Sequence, residues 1–271
     1  MMTHPTEAGN ARIMRNELSP AKSRKPILGF PSLDEMDMES IMDKSNAAPD
    51  ELKYGTTGDG FKPLAEVMLP DVRQQFWARL QSDGTFRNVQ LEDLHKRMSE
   101  LTLNSTVAEE VRTGFDTARN LFLYSWFVNR FLTVAELQAY AALEFALGKR
   151  IAIEKAGHVR GLSRRFDLAV QKGWIRAEGV RRYRQVATHR KEYAKEQEQL
   201  FKEFLKAEDD WRNLDTRTEA EHASDYLRNL KDGIPRLRNS MAHGDPMLHG
   251  GAALTLEICC DLINQLFPEK T

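Results

Sequence analysis

From Pro63 onward, apolar positions recur at intervals of three and four residues, the spacing of one face of an α-helix. Residues 71–81 show it with Val72, Phe76, Trp77 and Leu80, and residues 91–103 with Leu91, Leu94, Met98 and Leu101. Thr106 followed by Glu109 fits a capping box and predicts a helix running to about residue 131. Its aromatics Phe115, Phe122, Tyr124, Trp126, Phe127 and Phe131 read as core. Thr133 with Glu136 is a second capping box, opening a helix through Leu137, Tyr140, Ala141, Leu143, Phe145, Ala146 and Ile151 that ends near Gly157. A shorter helix over 163–171 is closed by Gly173. Residues 180–209 predict a long, charged helix with a sparse apolar seam (Tyr183, Val186, Tyr193, Leu200, Phe201, Phe204, Leu205), the pattern of a projecting or edge helix. A helix over 220–231 is expected to end at Gly233, and a new one to begin at Pro235 and stop at Gly244, before Pro246. A last apolar helix covers about 251–267. No stretch shows the two-residue alternation of a strand, and no internal repeat has a fixed period. The predicted fold class is all-α: a helical bundle over 63–268 with its core at about 106–268.

The first 62 residues differ. Seven of the ten prolines lie within the first 70 residues, where no helical period persists. Residues 1–62 are expected to form a poorly ordered, flexible N-terminal arm with a short helix near 33–42. Its Met36, Met38 and Met42 offer a docking cluster, although a loosely attached tail is the preferred reading. Hydrophobic content of 41% beside 29% charged residues supports a packed core. No run approaches eighteen apolar residues, and residues 1–10 lack the apolar stretch of a secretory signal. Cys259 and Cys260 are adjacent in an apolar helical run, which points to core packing in a reduced, cytoplasmic setting.

The net charge of -1 conceals an asymmetry. Residues 149–191 hold 13 Lys/Arg against 3 Asp/Glu, a local charge of +10, which leaves -11 on the remainder. Such a stretch is either a solvated helical surface or a footprint for phosphate backbones.

The candidate chemistry lies in Arg236-Leu237-Arg238-Asn239-Ser240-Met241-Ala242-His243. At about 100° per residue, Arg236, Asn239 and His243 share one helix face, while Arg238 stands roughly 140° from His243. A histidine can take the proton of a 2′-hydroxyl or protonate a leaving oxygen. An arginine fork matches phosphate oxygens and offsets the charge of a pentacoordinate transition state. The bland alternative is a histidine at a helix end and an arginine paired with a neighbouring acid.

This stretch resembles the R-x(4–6)-H motif of the HEPN superfamily. Arg238-Asn239 followed by His243 matches the four-residue form, and Arg236 with His243 matches the six-residue form. The run Ala142-Leu143-Glu144-Phe145-Ala146-Leu147 is similar to the early helix of such domains, in which Glu144 is the sort of acid that faces the site. The likeness covers about 106–268. It implies a metal-independent endoribonuclease, with Arg238, Asn239 and His243 catalytic and with Arg236 and Glu144 supporting. It further implies RNA as substrate, no cofactor and no metal, a homodimer with a composite site, and a role such as a toxin held by an antitoxin or other regulatory protein, or an antiviral effector. Arg164, Arg165, Arg181, Arg182, Arg184 and Arg190 would then guide the RNA backbone. Two other readings stay open: a HEPN-like module that binds RNA without cutting it, and a dimeric adaptor built on the long charged helix. No metal-ligand spacing stands out beyond the weak His243, Asp245 and His249 pattern, and the chain has no P-loop, nucleophile elbow or dinucleotide fingerprint.

Overall fold

The computed structural model describes residues 53–204, 217–243 and 251–269, with side chains described over 53–196, 217–243 and 251–269. The expected helix near 33–42 and its methionines, the end of the long helix beyond 204, and Gly244, Asp245, Pro246 and His249 lie outside the described residues. Seven α-helices occur among the described residues: α1 (Leu91–Ser99), α2 (Glu109–Tyr124), α3 (Phe131–Ile153), α4 (Leu162–Gln171), α5 (Arg181–Phe204), α6 (Glu219–Ala242) and α7 (Ala252–Leu266). The fold is predominantly helical, as the apolar spacing predicts. None of the described helices is long and apolar enough to cross a membrane.

The centre of the bundle is α3, which packs most extensively against α2 and α7. It is buried along Leu132, Ala135, Ala139, Tyr140, Leu143, Ala146, Leu147 and Ile151. The small residues explain the close approach of α2: an added Cβ on Gly114 would lie 3.7 Å from that of Ala142. Gln138 Nε2 also donates to the Gly114 carbonyl at 3.2 Å. Phe115, Leu143, Leu147, Phe166, Leu256, Leu262 and Ile263 are among the largest fully buried side chains. Each contributes roughly 1.5–3 kcal/mol relative to exposure. Both cysteines are free and buried, and burial pushes the Cys260 thiol up to about 12.

Several local expectations are corrected. Residues 71–81 do not form an α-helix. Val72–Phe76 is a 3-10 turn, followed by strand β1 (Ala78–Leu80), which pairs antiparallel with β2 (Phe86–Asn88). Strands therefore do occur, in one hairpin. Thr106 does not cap α2. Its hydroxyl donates to the Phe267 carbonyl at 2.7 Å, while Asn104 Nδ2 donates to the carbonyls of Asn264 and Phe267. The helix starts after Ala108 and ends at Tyr124, and a turn precedes α3. Thr133 and Glu136 do not cap α3, which begins two residues before Thr133; Glu136 is buried and accepts from Thr255 Oγ1 of α7 at 2.8 Å. The largest correction concerns α6: it runs unbroken from Glu219 to Ala242 with Pro235 in its interior. Its core side, Ala223, Leu227, Leu230, Ile234, Leu237 and Met241, keeps the three- and four-residue spacing straight through Gly233 and Pro235. Burial of that stripe outweighs the two local helix breakers.

Residues 53–62, assigned to the arm by composition, are fastened to the chain that comes after them. Gly55 N donates to the Pro70 carbonyl at 2.8 Å. Asp59 pairs with Arg73 at 2.9 Å and with Arg130 at 3.0 Å. Asp71 then docks this segment on the α2–α3 corner, its backbone N–H meeting the Trp126 carbonyl at 2.8 Å and its carboxylate receiving Asn129 N–H at 3.1 Å.

Candidate functional site

Helix α6 is launched by a capping box that matches the Thr-x-x-Glu pattern: Thr218 N–H donates to Glu221 Oε2 at 2.6 Å, and Glu221 N–H donates to Thr218 Oγ1 at 3.3 Å. With its apolar stripe turned inward, the opposite side carries Asp232, Arg236, Asn239 and His243, all exposed and spaced four, three and four apart. Arg236, Asn239 and His243 therefore do share one outward face, as the helical arithmetic predicts. His243 is the C-cap residue, at φ -90° and ψ 7°. Its backbone N–H donates to the Asn239 carbonyl at 3.0 Å, which fixes where the imidazole leaves the helix.

Arg238 lies on the flank between the two sides and turns towards α3. Its Nη2 sits 3.3 Å from Glu144 Oε2, with the two side chains 39% and 25% exposed. Its Nη1 donates to Asn239 Oδ1 at 3.2 Å. Glu144, Arg238 and Asn239 thus form a short polar chain across the surface between α3 and α6. A half-exposed pair of this kind adds little stability, about 0–1 kcal/mol, but it restrains a long side chain in one orientation. Glu144 also accepts at its backbone: Arg165 Nη1 of α4 donates to the Glu144 carbonyl at 3.2 Å. Gly148, one turn on, leaves room for that guanidinium, since a Cβ there would stand 3.2 Å from Arg165 Nη1. No hydrogen bond or ion pair joins Arg238 to His243 among the described residues.

The six arginines expected to track RNA divide into two groups. Arg165 donates to the carbonyls of Val159 and Glu144. Arg181 places its N–H and its Nε on the Asp261 carboxylate at 2.7 and 2.8 Å, fastening the start of α5 to α7. Arg190 pairs with Glu219 at 3.4 Å. These three hold the fold together. Arg164 and Arg182 are exposed and hold no ion pair among the described residues, and exposed Arg184 donates to the Glu178 carbonyl at 2.8 Å. The +10 stretch is therefore partly structural and partly open.

Phe145, one of the apolar positions on which the helix over α3 is predicted, is 44% exposed beside Glu144, with Lys149 Nζ 5.1 Å from its ring centroid. The signal available in the sequence is the i,i+4 pairing of an aromatic with a lysine. Among the described residues, no group of three His, Cys, Asp or Glu side chains is arranged to hold a metal ion. Comparison of the chain with protein-family models, with curated proteins and with solved structures finds no match.

Proposed function

We propose that this protein is a metal-independent endoribonuclease of HEPN type. The observation that carries the reading is the placement of Arg238, steadied by Glu144 and Asn239, on the same stretch of α6 whose outward face presents His243. In this reaction His243 takes the proton from an RNA 2′-hydroxyl, and the 2′-oxygen attacks the adjacent phosphorus. The bond to the 5′-oxygen breaks, and that oxygen leaves with a proton returned by an imidazolium. The products are a 2′,3′-cyclic phosphate and a 5′-hydroxyl. Arg238 offsets the charge gathered on the phosphoryl oxygens. The phosphate competes with Glu144 for the guanidinium, so Glu144 acts as a positioning residue that keeps the fork aimed until RNA arrives. Arg236, exposed one turn before, meets a neighbouring phosphate, and Phe145 offers a ring face to an unstacked base. Two copies contributing Arg238 and His243 to a shared cleft would supply the second imidazole that returns the proton.

The test is cleavage of mixed cellular RNA by purified protein in EDTA, with product ends identified. Wild type yields cyclic-phosphate ends, and His243→Ala and Arg238→Ala lower the rate by at least about 100-fold. Equal cleavage by wild type and His243→Ala overturns the reading. A second reading, RNA binding without cleavage, draws on the absence of any direct link between Arg238 and His243 among the described residues. It is favoured if retention of RNA falls steeply with salt and the RNA emerges intact.

A further inference from the structure

The helix at the centre of the core carries a phenylalanine on its outer surface. Phe145 is 44% exposed, and Ala141 and Gly148, one turn to either side, carry no bulky side chain to cover it. The ring is propped from behind. Lys149 Nζ lies over it, 5.1 Å from the centroid, and is held there by Glu110 of α2 at 2.8 Å. A cation seated on one face of an aromatic ring leaves the opposite face for a flat group. Nucleobases stack on rings presented in this way, since every base has a π-face.

The neighbouring residue supplies a polar edge. Glu144 Oε2 meets Arg238 Nη2 at 3.3 Å, and the Glu144 side chain is 25% exposed. Its second oxygen, Oε1, receives no hydrogen bond among the described residues. A carboxylate only accepts, so an open oxygen calls for a donor. Adjacent positions on a helix diverge by about 100°, so ring and carboxylate stand as the two sides of a corner. The ring is steadied from α2 and the carboxylate from α6. A base lying flat on the ring turns its edge towards the carboxylate. When a phosphate takes the Arg238 guanidinium, Oε2 opens as well, and that edge meets two free acceptors.

The identity of the base follows from its edge. Guanine alone sets two adjacent donors, N1–H and the 2-amino group, on its Watson–Crick edge. Adenine and cytosine set one donor beside an acceptor, and uracil flanks one donor with two acceptors. Any acceptor turned to a carboxylate is repelled. We propose that Phe145 and Glu144 form a guanine subsite: the ring stacks the base, and the carboxylate accepts from N1–H and the 2-amino group. The occupant is a guanosine in a single strand, beside the phosphate that Arg238 holds, because a duplex buries this edge in its own pairing. Its place beside a scissile phosphate rests on the nuclease reading; the base contact does not.

Binding measured without cleavage tests this. The probes are labelled 2′-O-methyl pentamers of cytidine whose central base is guanine, hypoxanthine, adenine, cytosine or uracil, followed by fluorescence anisotropy with the full chain at one salt concentration. Wild type is expected to bind the guanine pentamer at least about fivefold tighter than the adenine, cytosine and uracil pentamers. Hypoxanthine, which lacks the 2-amino group, should fall between. Glu144→Gln should level the series, and Phe145→Ala should weaken the guanine pentamer at least about fivefold. Circular dichroism melting verifies folding, and Phe145→Leu serves if the alanine variant is unfolded. Pentamers that bind equally, or not at all, overturn the proposal, as does a guanine preference that survives Glu144→Gln. Guanosine 5′-monophosphate that displaces the pentamer at equal concentration assigns the subsite to free nucleotides and overturns the strand as occupant. The two readings separate cleanly: RNA cut in EDTA with a level series removes the subsite alone, and a guanine preference with intact RNA removes the nuclease alone.

Discussion

Replacing Pro235 by alanine tests the most unusual element of the backbone. Pro235 lies inside α6, three residues before Arg238. It has no N–H to give the Lys231 carbonyl, and its ring crowds that carbonyl. Relative to alanine, a proline in a helix interior costs about 3 kcal/mol. Against this, proline restricts the unfolded chain, a benefit of about 0.4–1 kcal/mol. Pro235 is also half-buried, so some ring packing is lost on substitution. The balance predicts that Pro235→Ala stabilises the protein by about 1–2 kcal/mol, raising the melting temperature by roughly 2–4 °C per kcal/mol. Gly233→Ala calibrates the measurement: nothing lies within 4 Å of a Cβ built there, and the change should add about 0.5–1 kcal/mol. Urea unfolding followed by far-UV circular dichroism gives both values, with an unchanged slope required for the comparison. RNA cleavage is the second readout. Regularising the turn before Arg238 shifts its guanidinium relative to Glu144, so the stabilised variant should cut more slowly. If Pro235→Ala destabilises the protein, the strain argument fails and ring packing is what retains the proline.

Three further outcomes are expected. Glu144→Ala should change stability by less than about 1 kcal/mol, yet lower RNA cleavage, with Glu144→Gln partly restoring it; an unaltered rate in Glu144→Ala removes the positioning role. The Arg87 guanidinium holds Asp93 down at about 2, and a depressed carboxyl contributes stability above its ordinary range that is lost as pH falls through the folded value. The melting-temperature gap between wild type and Asp93→Asn should therefore be full at pH 5 and shrink towards pH 2; a constant gap contradicts the pairing. Burial raises both thiols, so Cys259 and Cys260 should resist a thiol-reactive dye in the native protein and react fully in denaturant.

The bundle is legible in the sequence because its helices are amphipathic or uniformly apolar, and periodicity survives without knowledge of neighbours. The hairpin is not, because Phe76, Trp77 and Leu80 fit a helical face as readily as a strand. The decisive signal is Asp83-Gly84 between Ala78-Arg79-Leu80 and Phe86-Arg87-Asn88, a turn flanked by alternation. Gly233 and Pro235 mislead in the opposite direction, since these local breakers yield to an apolar stripe that runs the length of α6. Thr106 and Glu136 satisfy capping patterns in sequence but meet partners at the C-terminal end of the chain in space, Phe267 and Thr255. At the site, the shared face of Arg236, Asn239 and His243 is set by spacing alone. Which arginines are free is not: the partners of Arg181 and Arg190 lie 80 and 29 residues away.

The central helix has a consequence for synthesis. α3 is apolar almost all round, and one of its two main neighbours, α7, begins about 100 residues later. At about 5–20 residues per second, a ribosome leaves α3 without that cover for roughly 5–20 seconds. The nascent chain passes through that interval with Tyr140, Leu143 and Leu147 partly bare, until Leu256 and Ile263 emerge to cover them.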